Sequence, residues 1–305
     1  MYNIFTISLN VNRDVSILKN IILVLTIFGL WLSTQISPQV QDYLAYGLIL
    51  TFGVLHGAND ITLISSLSNK NPTRKLLGMY LGAMGLVTFF FLISRGFALV
   101  FFILISAYHF GEQHLGSRME YPSRYRHALF LCYGLVILFL IFNLKLNETI
   151  AIISDASGWV FANEVFQSIL IVALVGLLII AFKMVREKEL RINVIKELFY
   201  LMVLAIVFAN SSLVWGFAIY FILWHSIPSL YDQIGVLYGK ATKYTFIAYL
   251  KSSYIYWLIS ILGLLVLYGL LKDRVDFFIT VVLYVLAAIT FPHVMVMSKL
   301  ERLKK

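Results

Sequence analysis

The chain has 305 residues, of which 61% are hydrophobic and 13% charged, with a mean hydropathy of +0.89. A soluble domain is about half apolar and about a quarter charged, so this composition excludes a water-soluble globule and calls for an integral membrane protein. The net charge of +9 is carried in short clusters between apolar runs, a pattern that follows membrane topology and gives no reason to expect a nucleic-acid partner.

In chain order, about ten membrane-spanning helices are expected. They run near 18–36, 43–68, 74–93, 96–114, 127–146, 163–183, 195–210, 213–234, 252–271 and 276–298, each close to the ~20 residues that cross a bilayer core. The first run follows a polar start and no small-residue cleavage site comes after it, so it reads as a retained helix and not a signal peptide. Connections are short and no stretch resembles a soluble domain, so residues 1–305 form a single integral-membrane domain: an all-α polytopic bundle. With the N-terminus inside, the inner loops hold Lys70, Arg74 and Lys75, then Arg118, Arg124 and Arg126, then Arg186, Lys188 and Arg191, then Lys240 and Lys243. Lys299, Arg302, Lys304 and Lys305 follow in the tail, whereas the outer segments 37–42, 147–162 and 211–212 carry no base. Arg95, Lys272 and Arg274 are the exceptions. Both termini are therefore expected on the cytoplasmic side of a cell membrane.

The second apolar run contains Leu55-His56-Gly57-Ala58-Asn59-Asp60. A histidine and a carboxylate at membrane depth are costly and call for a partner or a task. On a continuous helix their spacing of four would put both on one face. Three more histidines fall in spans of the same direction: His109 in the fourth, His225 in the eighth and His293 in the tenth. Four imidazoles at comparable depth on four parallel helices make a metal centre in the bundle core the expected arrangement. Neutral imidazole suits iron, zinc, copper or nickel. Cys132 is the only cysteine, which excludes an intrachain disulfide and a thiolate cluster. Asp60, Glu112 and Asp232 share helices with His56, His109 and His225, as carboxylates that orient ligating imidazoles often do. His114, at the end of the fourth span, is expected at its inner mouth, and His127, beside Arg124 and Arg126, at the solvated interface.

The motifs His56-Gly57-Ala58-x-Asp60, His109-Phe110-Gly111, Trp224-His225-Ser226 and Pro292-His293, in this order on a polytopic chain, resemble the Brp/Blh family of β-carotene 15,15′-dioxygenases. The resemblance runs from the second span to the last. It implies an iron(II) enzyme that splits the central double bond of β-carotene with O2 into two molecules of retinal, taking its substrate from membrane lipid. It also implies that His56, His109 and His225 are iron ligands with a catalytic role. The family pattern has a further histidine one helical turn after the third, where this chain has Ser229; His293 is then the candidate fourth ligand. Two other readings fit the same residues: a carotenoid- or retinal-binding membrane protein that does not cleave, and a proton-coupled transporter relaying through its histidines.

Overall fold

The computed structural model describes residues 2–66, 73–121, 123–271 and 278–303. Lys70, Lys272, Arg274, Lys304 and Lys305 of the expected charge pattern lie outside them. The chain folds as helices joined by short turns: α1 (Tyr2–Gln35), α2 (Pro38–Leu48), α3 (Asp60–Ser66), α4 (Thr73–Ile93), α5 (Arg95–Leu115), α6 (Arg126–Leu144) and α7 (Leu146–Ser157). They are followed by α8 (Asn163–Arg186), α9 (Val194–Ala209), α10 (Leu213–Ile219), α11 (Ile227–Tyr238), α12 (Lys243–Leu271) and α13 (Phe278–Leu303). Two π-helical segments, Ile49–Gly53 and Tyr220–Ser226, link α2 towards α3 and α10 to α11.

Local chemistry sets many of the boundaries. Ser37, Asn193 and Ser212 each accept a hydrogen bond from a backbone N–H in the first turn of α2, α9 and α10, satisfying donors that the helix itself leaves open. Gly158 and Gly239 end α7 and α11 with φ of 74° and 78°, a region that favours glycine.

Among the described residues, eight helices are long and apolar enough to cross a membrane. They correspond to eight of the ten expected spans. The expected seventh span is present as α9, with 16 residues. The second differs more: Tyr43 to Leu67 is not one helix but α2, a π-helical segment, a tight turn through His56–Asn59, and α3. A helix also stands where the sequence suggested an outer loop over 147–162. In α7, Thr149, Ile153 and Ala156 are buried at helical spacing, giving the segment an inward face.

The enclosed centre is the stretch Leu213–Tyr238, with 72% of its most apolar window buried. The corresponding windows of α4, α8 and α12 are 6%, 11% and 11% buried, so these helices form the lipid-facing shell. The tightest pairing is α5 with α6. A methyl group at Gly111 would overlap the carbonyl of Phe130, and one at Gly134 would overlap that of Ala107. The two backbones touch through these glycines, as small residues allow in membrane helix pairs. That contact seats the part of α5 bearing His109.

Candidate metal centre

The four intramembrane histidines meet. Ring centroids lie 4.7 Å apart for His56–His293, 5.2 Å for His293–His109, 4.8 Å for His109–His225 and 5.3 Å for His225–His56, closing a circuit. Successive rings stand at 79° to 89° to one another, and each residue is only 2–5% exposed.

Three of the imidazoles stand in or beside a π-segment, a tight turn or a proline, whereas His109 lies within the regular helix α5, seated by its contact with α6. His225 sits in the second π-helical segment, where the Ser226 hydroxyl donates to the carbonyl of Phe221 five residues back (2.8 Å). Pro228 follows and has no N–H to continue an α-helical ladder. π-Segments are rare and recur at functional sites. The His225 ring lies stacked on Phe221 at 5.6 Å and edge-on to Phe110 at 4.6 Å, while its carbonyl accepts from Gln113 Nε2 (2.8 Å).

His56 follows the first π-segment. Its Nδ1 forms a short hydrogen bond to the carbonyl of Gly53, a residue with no side chain to obstruct the Phe221 ring. The His56 carbonyl accepts from Gln233 Nε2 (2.9 Å) and the Tyr249 hydroxyl (3.3 Å).

His293 follows Pro292 inside α13, and its Nδ1 lies 2.9 Å from both oxygens of Asp60. Asp60 also accepts from the Tyr80 hydroxyl (2.8 Å). The expectation that His56 and Asp60 share one helix face is therefore corrected. Bonds spanning three residues, from the N–H groups of Gly57, Ala58 and Asp60, tighten the chain at His56–Asn59. Asp60 opens a new helix and turns to His293.

What marks this cluster chemically is its unpartnered nitrogen. Both ring nitrogens of His109 and Nε2 of His293 are buried without a hydrogen-bond partner. Such groups are expensive to leave unpaired in a low-dielectric interior. An Nδ1–H donated to Asp60 leaves the lone pair of His293 on Nε2, the arrangement that a carboxylate imposes on a metal-ligating histidine. Among the described residues, no three His, Cys, Asp or Glu side chains already stand at the spacing of a finished metal site. The fit to a cation rests on four converging rings, the buried unpaired nitrogens and the Asp60 support.

The rings border an apolar cavity whose walls include Leu99, Phe102, Val214, Phe217 and Leu286, besides the four histidines. Its lining extends along α5 from Leu99 to His109, along α10 and the π-segment from Leu213 to His225, and along α13 from Ile279 to His293. At about 1.5 Å rise per residue these are stretches of roughly 15–21 Å. On each of these three walls the histidine lies at or next to the same end.

The family model described as beta-carotene 15,15'-dioxygenase matches residues 47–301. The chain belongs to that family. A comparison with curated proteins finds no match, and a comparison with solved structures finds none either.

In this member of the beta-carotene 15,15'-dioxygenase family, the other residues singled out in the sequence divide by place. Glu112, one turn beyond His109, accepts from Ser298 (2.5 Å) and Tyr108 (3.3 Å), and no hydrogen bond joins it to the His109 ring. Asp232 is half-buried on α11, and it is its neighbour Gln233 that reaches the His56 carbonyl. His114 lies stacked on Tyr133 and bonded to Glu197 (2.8 Å), which also pairs with Arg118. His127 is exposed and bonded to the Tyr108 hydroxyl (2.8 Å). Ser229 is fully buried, with its hydroxyl 3.2 Å from Gln233 Nε2.

Gln113, Gln233, Tyr80 and Tyr249 were not foreseen as supports of the cluster. A polar pair one turn apart on α11, Ser229 and Gln233, was the available signal for Gln233. For this dioxygenase-family chain, Asp60→Asn is expected to lower metal affinity about 10–100-fold, the usual effect of losing a carboxylate behind a ligating histidine. Metal titration of the purified variant, followed by metal analysis, tests this; unchanged affinity would remove Asp60 from the site.

Proposed function

We propose that this protein is an iron(II)-dependent oxygenase that cleaves the central double bond of β-carotene with O2, giving two molecules of retinal, within a cytoplasmic membrane. The bookkeeping of atoms is simple: one C=C bond breaks and each of its carbons takes one oxygen atom as an aldehyde. The observation that carries the reading is the meeting of four imidazoles at one end of a long apolar cavity in a chain of this family.

His56, His109, His225 and His293 would hold the iron, with His293 in the place that Ser229 leaves open in the family pattern. Iron would supply the one-electron chemistry that O2 requires. The protein's own groups supply the rest. Asp60 holds a proton on His293 Nδ1 and, with Tyr80, fixes the ring direction. Gln113 and Gln233 anchor the backbone at His225 and His56. The walls exclude water and offer dispersion contacts to a hydrocarbon, which reaches the site from lipid without crossing an aqueous phase.

Expression in bacteria that make β-carotene is expected to bleach their orange colour and yield retinal by chromatography. Bleaching should depend on oxygen and on iron. Undiminished carotene with no retinal, from folded protein containing iron, would overturn this function. Carotene that co-purifies uncleaved under air would point to the binding protein instead.

A further inference from the structure

A long symmetric hydrocarbon cut at its middle must project equally to both sides of the reacting bond. The cavity described above lies on one side of the histidines only, because its walls run from His109, His225 and His293 towards the same helix ends. Half of such a molecule needs space elsewhere.

A second recess supplies that space. It lies between α4, α12, α3 and α13, with Leu81, Met84, Gly263, Leu267 and Val285 among its walls. Its boundary with the histidine cavity is shared at Val54, Gly57 and Ile289. Gly57 stands in this boundary: a Cβ there would make ordinary contacts, 3.5 Å from Ile289 Cγ2 and 3.6 Å from His293 Nδ1. The Gly57 backbone and the side chains of Val54 and Ile289 form the partition, and Tyr80, whose hydroxyl bonds to Asp60 behind His293, lines the recess as well. Measured alike, the histidine cavity holds about 110 Å³ and the recess about 780 Å³. The recess faces lipid, since α4 and α12 are among the least buried helices. A third apolar hollow, between α4, α5 and α13, meets the histidine cavity at Phe102 and Thr290. Phe102 is two turns from His109 and Thr290 within one turn of His293, but Gly57 does not line that hollow, whereas it lines the α4–α12 recess.

We infer that the α4–α12 recess is a second hydrocarbon subsite: the half of the polyene beyond the reacting bond lies there, entering from lipid and passing Gly57. This rests on the carotene-cleaving reading and extends it to residues that the histidine cluster does not include. Gly263 is its best probe, because nothing lies within 4 Å of a Cβ built there. A tryptophan at that position fills the recess without displacing its own helix.

The full chain is purified in detergent from β-carotene-producing bacteria. Carotene that co-purifies without oxygen reports binding, and retinal formed under air reports cleavage. Gly263→Trp is expected to lower both by about tenfold or more, a change of about 1.4 kcal/mol in binding. Gly269→Trp, on the same helix, equally open but outside the recess, is expected to leave both within about twofold of wild type. Leu81→Trp repeats the block from the α4 wall should Gly263→Trp fail to fold. A carotenoid shortened just beyond the central bond should be cleaved by Gly263→Trp as by wild type. Wild-type binding and cleavage of β-carotene in both blocking variants would overturn the subsite while leaving the cleavage activity standing. Wild-type protein that binds carotene and makes no retinal, with binding lost in Gly263→Trp, would overturn the activity and leave the subsite standing.

Discussion

His109→Ala is expected to bring retinal formation to background and to remove most of the bound iron. His109 is 2% exposed, and neither ring nitrogen has a hydrogen-bond partner within the protein. A cation held by the cluster would satisfy an imidazole kept in that state. Losing a ligand should exceed the about 10–100-fold effect of losing a supporting carboxylate. The substitution also opens a hole in the core, and a large-to-small change of this kind costs about 2–5 kcal/mol. His109→Leu keeps most of the volume and separates the two effects: it should retain the fold and its melting temperature while losing iron and product. Iron content and retinal yield unchanged in His109→Leu would exclude this residue from the proposed metal centre. The same pair of measurements applies to His56, His225 and His293, whose rings complete the circuit.

Gly134→Leu is expected to destabilise the bundle more than any single substitution on its lipid face. A Cβ at Gly134 meets the backbone of Ala107, two residues from His109, and backbone does not rotate aside as a side-chain tip does. Overpacking in a core usually costs about 1–3 kcal/mol, and separating two helix backbones lies at or above the upper end. The α5–α6 pair must part, and His109 moves with α5. Thermal unfolding of the detergent-solubilised protein should show a markedly lower midpoint, with iron lost in parallel. Gly82→Leu on α4, where a Cβ has nothing within 4 Å, serves as the control and should change little. Equal melting of Gly134→Leu and wild type would refute the close backbone contact.

These two expectations draw on different layers of information. His109 stands out in the sequence because an ionisable residue inside an apolar run is rare and needs a reason. The role of Gly134 is invisible there, since a glycine in a membrane helix is ordinary until the opposite backbone is placed against it. Asp60 lies between the two cases. Its importance was legible from its depth, but its partner was not. Spacing of four implied the face of His56, whereas the turn at His56–Asn59 hands the carboxylate to His293, 233 residues away. The helix α7 was hidden because a short amphipathic segment with polar ends reads as a loop until something covers its inner face.

By itself the sequence determined that this is an all-α membrane protein and which four histidines deserved notice. Lipid enforces both: a spanning segment must satisfy its backbone within itself, so each helix is written locally as an apolar run, and each polar intruder is conspicuous. Only the tertiary structure decided that the four rings meet, that Asp60 supports His293, and that a lipid-facing recess adjoins them across Gly57. Those are relations between distant segments. They depend on where π-segments, tight turns and backbone-to-backbone packing leave each side chain, which no local periodicity encodes.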